Sequence, residues 1–345
     1  MKLHQWFDDP STVLVSRIPV GSAPTGEQFR RASVEALEAI GLELSNERVV
    51  IKPNVTIGEK FADPGSGITT HPMFVLGIGE YLLGHGAQKG GISILEDPRN
   101  TDDDSTRHWR GTGYPEVASQ IDAVLRSPSS TTCVTKSVPH PRAAHELSVS
   151  RVATDPESIL INVPKLKTHN LAITTLCLKN LMGVVHAPDR HYCRQAWLEI
   201  PEHERAPPEP ADGWFDCRLH ERWQEGLACR LIDTAQVVTP HLNLVEGVVG
   251  RDGTGFRNGI NYPIGISIAG TNMAAVDTVA SYIMGFDPAS IVYLRLAGSA
   301  GLGPTTMDRI RVFVTEDREL TRCTDVSRLR VAPPFRVISR MPGAD

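Results

Sequence analysis

Short apolar runs rich in β-branched residues alternate along the chain with longer segments in which apolar residues recur at a helical spacing. The runs predict six strands, at residues 48–51, 92–95, 158–163, 242–245, 264–268 and 310–314. Most of them are apolar without interruption, which is typical of strands covered on both faces. The helical spacing predicts five helices, at residues 27–40, 72–83, 115–125, 225–237 and 273–284. This alternation predicts an α/β fold with a mainly parallel sheet and helices on both faces.

The 345 residues divide into three stretches of different composition. Residues 1–194 form a predicted α/β body that contains the motifs TTHP and PKLKTH…KNLMG. Residues 195–225 are rich in proline and charge and only weakly periodic, so we expect an insertion or lid there. Residues 226–345 return to the α/β pattern and are expected to form a second portion packed on the first.

Composition and charge narrow the classes of molecule that the protein is expected to bind. The formal net charge of −5 offers no excess of Lys and Arg for phosphates, so no nucleic-acid partner is expected. A signal peptide and an apolar run of about 18 residues are both lacking, which favours a cytoplasmic protein without a membrane partner. None of the six cysteines forms a C-x-x-C pair, so free thiols are expected and there is no iron–sulfur cluster motif. A homo-oligomer is left open.

The segment from Pro164 to Gly183 contains the strongest candidates for chemistry. Lys165, Lys167 and His169 alternate along a stretch that proline keeps extended after a strand, so their side chains should share one face. Lys179 lies among apolar residues, where an ammonium group must reach solvent or meet an anion. Lys179, His169 and Lys167 are therefore the predicted catalytic residues, because a buried lysine can serve as a base or nucleophile.

Polar residues after other predicted strands are expected to complete this site, since ligands of α/β sheets collect at the carboxyl ends of strands. Lys52 and Asn54 follow the first strand, and Thr70 precedes a helix at a position suited to capping and anion binding. The predicted substrate-binding residues are Lys52, Asn54, Thr70, Lys165 and Asn180.

Histidines in three loops suggest a metal site. His71, His169 and His191 are the predicted ligands of a transition metal ion, with iron, nickel and zinc all compatible. The acidic tract that begins at Glu96 is expected to be a solvated turn. Asp277 lies on an apolar helix face, where an acid should cap a helix, pair with a lysine or orient a catalytic group. Pairing with Lys165, Lys167 or Lys179 is the expected role.

Five segments resemble, in order, the motifs of the bacterial and archaeal family labelled domain of unknown function 362. They are IKPNV, GITTHP, INVPKLKTHNLAITTLCLKNLMG, LNLVEGVVGRDGTG and GTNMAAVDTVASYIMGFDP, between about Val49 and Gly303. Many members of that family append an iron–sulfur ferredoxin segment, which is not expected here because the sequence shows no cluster motif. Asn272 stands where relatives usually have Asp, and Arg251-Asp252 stands where Met-Glu is frequent.

A more distant resemblance is to the lactate racemase family, which uses a nickel-pincer nucleotide. It implies a two-lobed arrangement, with His71 and His169 on the metal side and Lys179 holding the cofactor. The sequence Leu176-Cys177-Leu178-Lys179 replaces that family's Gly-Gly-Arg-Lys.

Three functions are compatible with these features. The first is a metal-dependent enzyme that acts on a small carboxylate or phosphate by redox or isomerase-type chemistry. The second is a metal-free enzyme that uses lysine for acid–base or Schiff-base chemistry. The third is a non-catalytic protein that binds an anionic ligand or cofactor.

Overall fold

The computed structural model describes residues 1–55, 67–97, 106–186, 189–205, 217–256 and 258–338. Its α-helices are α1 (Gly26–Ile40), α2 (Pro72–Gly84), α3 (Tyr114–Gln120), α4 (Cys177–Asn180), α5 (Tyr192–Leu198), α6 (Cys217–Val237), α7 (Met273–Ile283) and α8 (Val292–Ser299). Its strands are β1 (Thr12–Arg17), β2 (Arg48–Pro53), β3 (Ile92–Leu95), β4 (Val124–Arg126), β5 (Cys133–Ser137), β6 (Glu146–Ser150), β7 (Ser158–Val163), β8 (Lys165–His169), β9 (Ile173–Thr174), β10 (Leu242–Arg251), β11 (Asn261–Gly270), β12 (Arg311–Glu316) and β13 (Glu319–Cys323).

One sheet organises the described residues. Its strand order is β13-β12-β1-β11-β10-β7-β2-β3-β4, and β8 and β9 continue from β10. The half from β10 to β4 is parallel, whereas β11 is antiparallel to both of its neighbours. The predicted α/β class with a mainly parallel sheet is confirmed. Strands from before residue 194 and after residue 226 share this sheet, and the expected division into two portions stays a prediction.

Helices cover both faces of the sheet. Alternate residues of β2 show this, since Val49 and Ile51 belong to the core beneath α1, α2 and α3, while Val50 belongs to the core beneath α6, α7 and α8. Because both faces are buried, a central strand has no polar face, which explains its uninterrupted apolar sequence.

The predicted elements are present, with differences at their ends. The predicted helix at residues 115–125 was wrong in its second half, where α3 ends at Gln120 and β4 pairs with β3. Of the predicted insertion, residues 206–216 lie outside the described residues, while α6 begins at Cys217 rather than at residue 225. Within the described ranges, no helix is long and apolar enough to cross a bilayer.

Candidate functional site

Three neighbouring parallel strands end at the same edge of the sheet, and a cavity of about 400 Å³ lies there. The first residues after β2, β3 and β7 are Asn54, Glu96 and Pro164, and all three line the cavity. Strand β8 then runs beside β10 and forms the next wall. The remaining lining residues are Asp97, Lys165, Lys167, Thr168, His169, Asn170, Thr175, Leu176, Lys179, Asn180, Met182, Gly183, Arg190, His191, Cys193, Arg194, Thr254, Gly255 and Phe256.

Lys165, Lys167 and His169 all line this cavity, as their alternation along an extended segment predicts. The intervening Leu166 is instead buried in the hydrophobic core. The side-chain period of a strand therefore accounts for the shared face of these three residues.

Lys165 is held by a buried ion pair. Its ammonium contacts the carboxylate of Glu246 on β10, and both side chains are fully buried. The other oxygen of Glu246 accepts the backbone N–H of Val248 at 3.0 Å, at an irregularity in the pairing of β10 with β11. Burial lowers the pKa of Lys165, an effect that the Glu246 carboxylate opposes. Burial of both charges costs desolvation free energy, and each group stays charged only because its partner lies beside it.

Lys52 has a similar environment behind the cavity wall. Its Nζ lies 2.6 Å from Glu96 Oε2 and donates to the Pro53 carbonyl oxygen at 2.6 Å. Asn180 donates to the Lys52 carbonyl oxygen at 3.0 Å and to Asn162 Oδ1 at 2.8 Å, so this amide helps to fix the pair. Gly183 packs against it so closely that an added Cβ would lie 2.0 Å from Glu96 Oε2. Lys52 is not itself a lining residue.

Lys179 differs from these two lysines. It is half-buried on α4 and lines the cavity. Within the described part of the chain, its ammonium group makes neither an ion pair nor a hydrogen bond. The Lys179 ammonium therefore faces the cavity, and no carboxylate of the described residues pairs with it.

Asp277 does not pair with a lysine, so that expectation was wrong. The carboxylate accepts the backbone N–H groups of Cys177 at 2.6 Å and Leu178 at 3.0 Å, at the start of α4. Burial raises the pKa of Asp277 to about 7, although these hydrogen bonds oppose the shift. A lysine could have satisfied this buried acid, but helix N–H groups do so instead.

Lys167 is enclosed on the same wall. It is 3% exposed, and its Nζ donates to the Ile68 carbonyl oxygen at 2.8 Å. Burial lowers the pKa of Lys167 well below its usual value, and the nearby charges of Lys179 and Lys165 lower it further. A lysine with such a pKa supplies a neutral amine more readily than an exposed one does.

Backbone contacts fix the tautomer of His169. Its Nδ1 accepts the N–H groups of Leu171 at 3.0 Å and Ala172 at 3.1 Å. Since backbone N–H groups only donate, the neutral ring carries its proton on Nε2. Burial lowers the pKa of His169 well below its usual value, with Lys179 and Lys167 adding to the effect. His169 therefore offers a neutral N–H donor.

His71 and Thr70 lie outside the cavity lining. His71 caps α2, where its Nδ1 accepts the Met73 N–H at 3.1 Å, and its ring stacks on Phe29. Burial and the charge of Lys165 lower the pKa of His71 to about 3. Thr70 is fully buried and its hydroxyl donates to the Val163 carbonyl oxygen at 2.8 Å. The structure thus brings His169 and His191 to the cavity without His71.

The imidazole and carboxylate groups around the cavity are poorly arranged to bind a metal ion. No group of three His, Cys, Asp or Glu side chains suited to a metal lies within the described ranges. In both His71 and His169 the Nδ1 lone pair already accepts backbone N–H groups, which leaves a protonated Nε2 in the neutral ring. A transition metal stays a prediction from the sequence.

The first two residues of the acidic tract are not a solvated turn. Glu96 and Asp97 are 5% and 6% exposed, and they pair with Lys52 and Arg190 respectively. Residues 98–105 of the tract lie outside the described residues. The position of Glu96 directly after a buried strand, matching that of Lys52 after the predicted strand at residues 48–51, was the signal for this role. Three further lining residues were not predicted from the sequence, namely Arg190, Arg194 and Phe256.

The sheet and the cavity define an α/β protein with a lysine-lined site at the carboxyl edge of its parallel strands. The chain belongs to the family described as domain of unknown function (DUF362), whose model matches residues 49–282. It is 25% identical over 264 residues to the thylakoid-associated protein sll1697 of Synechocystis sp., covering 76% of this chain and 70% of that protein.

A solved structure of a Thermotoga maritima protein aligns with 68% of this chain at 10% identity, with a TM-score of 0.38. The aligned part spans 52% of that protein's chain. The similarity to lactate racemase stays a prediction.

Proposed function

We propose that this protein is an enzyme that binds a small carboxylate or phosphate and moves a proton at the carbon beside the anionic group. The observation that supports it most is the Lys179 ammonium, which faces the cavity without a carboxylate partner among the described residues. Lysine binds carboxylate and phosphate oxygens as a point charge. The volume of the cavity, about 400 Å³, suits a ligand of small-molecule size.

Each of the three predicted catalytic residues has a role in this proposal. Lys179 holds the anionic group. The neutral amine of Lys167 takes the proton from the adjacent carbon and becomes an ammonium group, and the electron pair of the C–H bond moves toward the neighbouring carbonyl oxygen. The Nε2–H of His169 donates to that oxygen as its charge develops.

Return of the proton from Lys167, to either face of the carbon or to the oxygen, completes an isomerisation. This sequence needs no oxidant or reductant. The lowered pKa of Lys167 supports its role, because a base works best when its pKa is near the working pH. The locked tautomer of His169 supports a donor role over a metal-ligand role.

Proton exchange with solvent tests the reaction. The protein is incubated in D₂O with small 2-hydroxy carboxylates, and loss of the C2–H signal beside the carboxylate is followed by proton NMR. We expect at least one compound to exchange. Exchange that continues equally in Lys167→Met would contradict the role of the base.

Anion binding tests Lys179 separately. Calorimetric titration with oxalate or inorganic phosphate should give a dissociation constant that Lys179→Met weakens by about tenfold to a hundredfold, because a charged contact is lost. Lys136→Met, at an exposed lysine of β5, is the matched control and should bind as the wild type does. Equal binding by Lys179→Met would overturn the proposal.

A metal-dependent form of this reaction and a non-catalytic binder are the competing outcomes. Elemental analysis of the purified protein, followed by reconstitution with iron, nickel or zinc, tests the first. Retention of oxalate without exchange of any carbon-bound proton would identify the second.

A further inference from the structure

Helix α7 supports the cavity wall from the side that faces away from the cavity. Asp277, in the middle of α7, is fully buried and contacts the first turn of α4 through both of its carboxylate oxygens. Lys179 is the next residue after Leu178, whose N–H group Asp277 accepts. The contact therefore fixes the backbone immediately before the ammonium group that faces the cavity.

The segment before α4 is anchored by helices α7 and α8. Thr174 Oγ1 lies 2.7 Å from the Tyr293 hydroxyl of α8 and 3.2 Å from Ser281 Oγ of α7. Ile173 adopts a φ of 69°, which is strained for a β-branched residue and requires support from its surroundings. Residues 173–178 thus depend on α7 and α8 for their conformation.

Helix α4 has little stability of its own. It spans four residues, so its hydrogen bonding cannot offset the cost of ordering its first turn. Its Ncap residue is Leu176, which has no side-chain oxygen for the free N–H groups. Asp277 supplies the missing acceptors from another element.

We propose that Asp277 is a positioning residue, which holds the first turn of α4 so that the Lys179 ammonium faces the cavity. This inference rests on the proposed function only for the role of Lys179, which is to bind the anionic group of the ligand. Asn in place of Asp277 would keep the size of the side chain but present an NH₂ group to one of the two backbone N–H donors, so that α4 must shift or lose a bond.

Chemical labelling of Lys179 tests the positioning directly. The full-length protein is treated with limiting acetic anhydride, and acetylation of each lysine is followed by mass spectrometry. We expect Asp277→Asn to change the rate at Lys179 by about threefold or more, while exposed Lys136 stays unchanged. Fully buried Lys52 and Lys165 should remain unlabelled, which shows that the fold is retained.

A matched control is available in α6. Asp233 is also fully buried, and its carboxylate accepts the backbone N–H groups of Arg142, Ala143 and Ala144, away from the cavity lining. Asp233→Asn should leave the rate at Lys179 at the wild-type value. An equal change in both variants would show a general loss of rigidity and overturn the inference.

A second variant keeps the inference testable if the Asp277→Asn substitution disturbs the whole fold. Asp277→Thr removes the charge and leaves one hydroxyl acceptor in a smaller volume. Labelling of Lys52 and Lys165 in both variants would assign Asp277 to general stability and overturn its positioning role. A wild-type rate at Lys179 in either folded variant would overturn it too.

Oxalate protection separates this inference from the proposed function. If oxalate fails to slow acetylation of Lys179 in the wild type, the anion-binding role fails. The difference between Asp277→Asn and Asp233→Asn would then still show whether Asp277 positions Lys179.

Discussion

Two regions of this site contain lysine, and they use it differently. The paired region consists of Lys52 with Glu96 and Lys165 with Glu246, and both ammonium groups are fully buried. The open wall consists of Lys179 and His169, which are half-buried and line the cavity. The paired lysines have carboxylate partners from neighbouring strands, whereas Lys179 has none among the described residues.

The difference follows from the cost of burying charge. A lysine in the interior of a sheet requires a partner, because an uncompensated buried ammonium is strongly destabilising. A lysine on the cavity wall remains partly hydrated and can exchange water for a ligand oxygen. The paired region is therefore expected to determine stability, and the open wall is expected to determine ligand affinity.

Substitution of Glu246 should have the largest effect. Glu246→Gln leaves Lys165 buried without a charged partner and removes an acceptor of backbone N–H groups, so the free energy of unfolding should fall by about 3–5 kcal/mol. Urea denaturation followed by circular dichroism measures this. Glu27→Gln, which removes an exposed partner of Arg30, is the control and should change it by less than about 0.5 kcal/mol. Equal effects of the two would remove the distinction between the regions.

Substitution of Gly183 should have the next largest effect. Gly183→Ala places a Cβ 2.0 Å from Glu96 Oε2 and 2.7 Å from Lys52 Nζ, which forces the pair to separate. We expect a loss of about 1–3 kcal/mol in the free energy of unfolding, as for other overpacked sites. Gly84→Ala is the control, since nothing lies within 4 Å of a Cβ there. A Gly183→Ala protein as stable as the control would show that Lys52 and Glu96 can move apart at little cost in stability.

The sequence predicted which residues of β8 line the cavity better than it predicted the buried partners of those residues. Alternation along one strand was sufficient to place Lys165, Lys167 and His169 on one face, because that relation is local. The partner of Lys165 lies 81 residues away, and the N–H group of Cys177 lies 100 residues from Asp277. Such pairs depend on which strands and helices become neighbours, and the periodicity of a single element does not contain that information.

The predicted metal ligands illustrate the same limit. His71, His169 and His191 each follow a local rule, yet hydrogen bonds decide what the rings of His71 and His169 can do. The capping role of His71 depends on the free N–H of Met73, and the tautomer of His169 depends on the backbone of the next few residues. Residue type and spacing placed His169 and His191 at the cavity, but predicted neither the position of His71 outside its lining nor which ring nitrogen would be available.

The smallest expected effect concerns the charge of His169. The pKa of this ring is held well below its usual value, so the ring should stay neutral as the pH falls from about 8 to 6, where an ordinary histidine gains a proton. Lys167, whose pKa is also lowered, is present in both proteins, so any effect of its protonation on anion binding is common to them. The ratio of oxalate dissociation constants at the two pH values should therefore be the same, within about twofold, in the wild type and in His169→Asn. Calorimetric titration at both pH values measures this ratio. A ratio that collapses in His169→Asn would show that His169 titrates in this range, and the open wall would then contain a titrating histidine rather than a neutral donor.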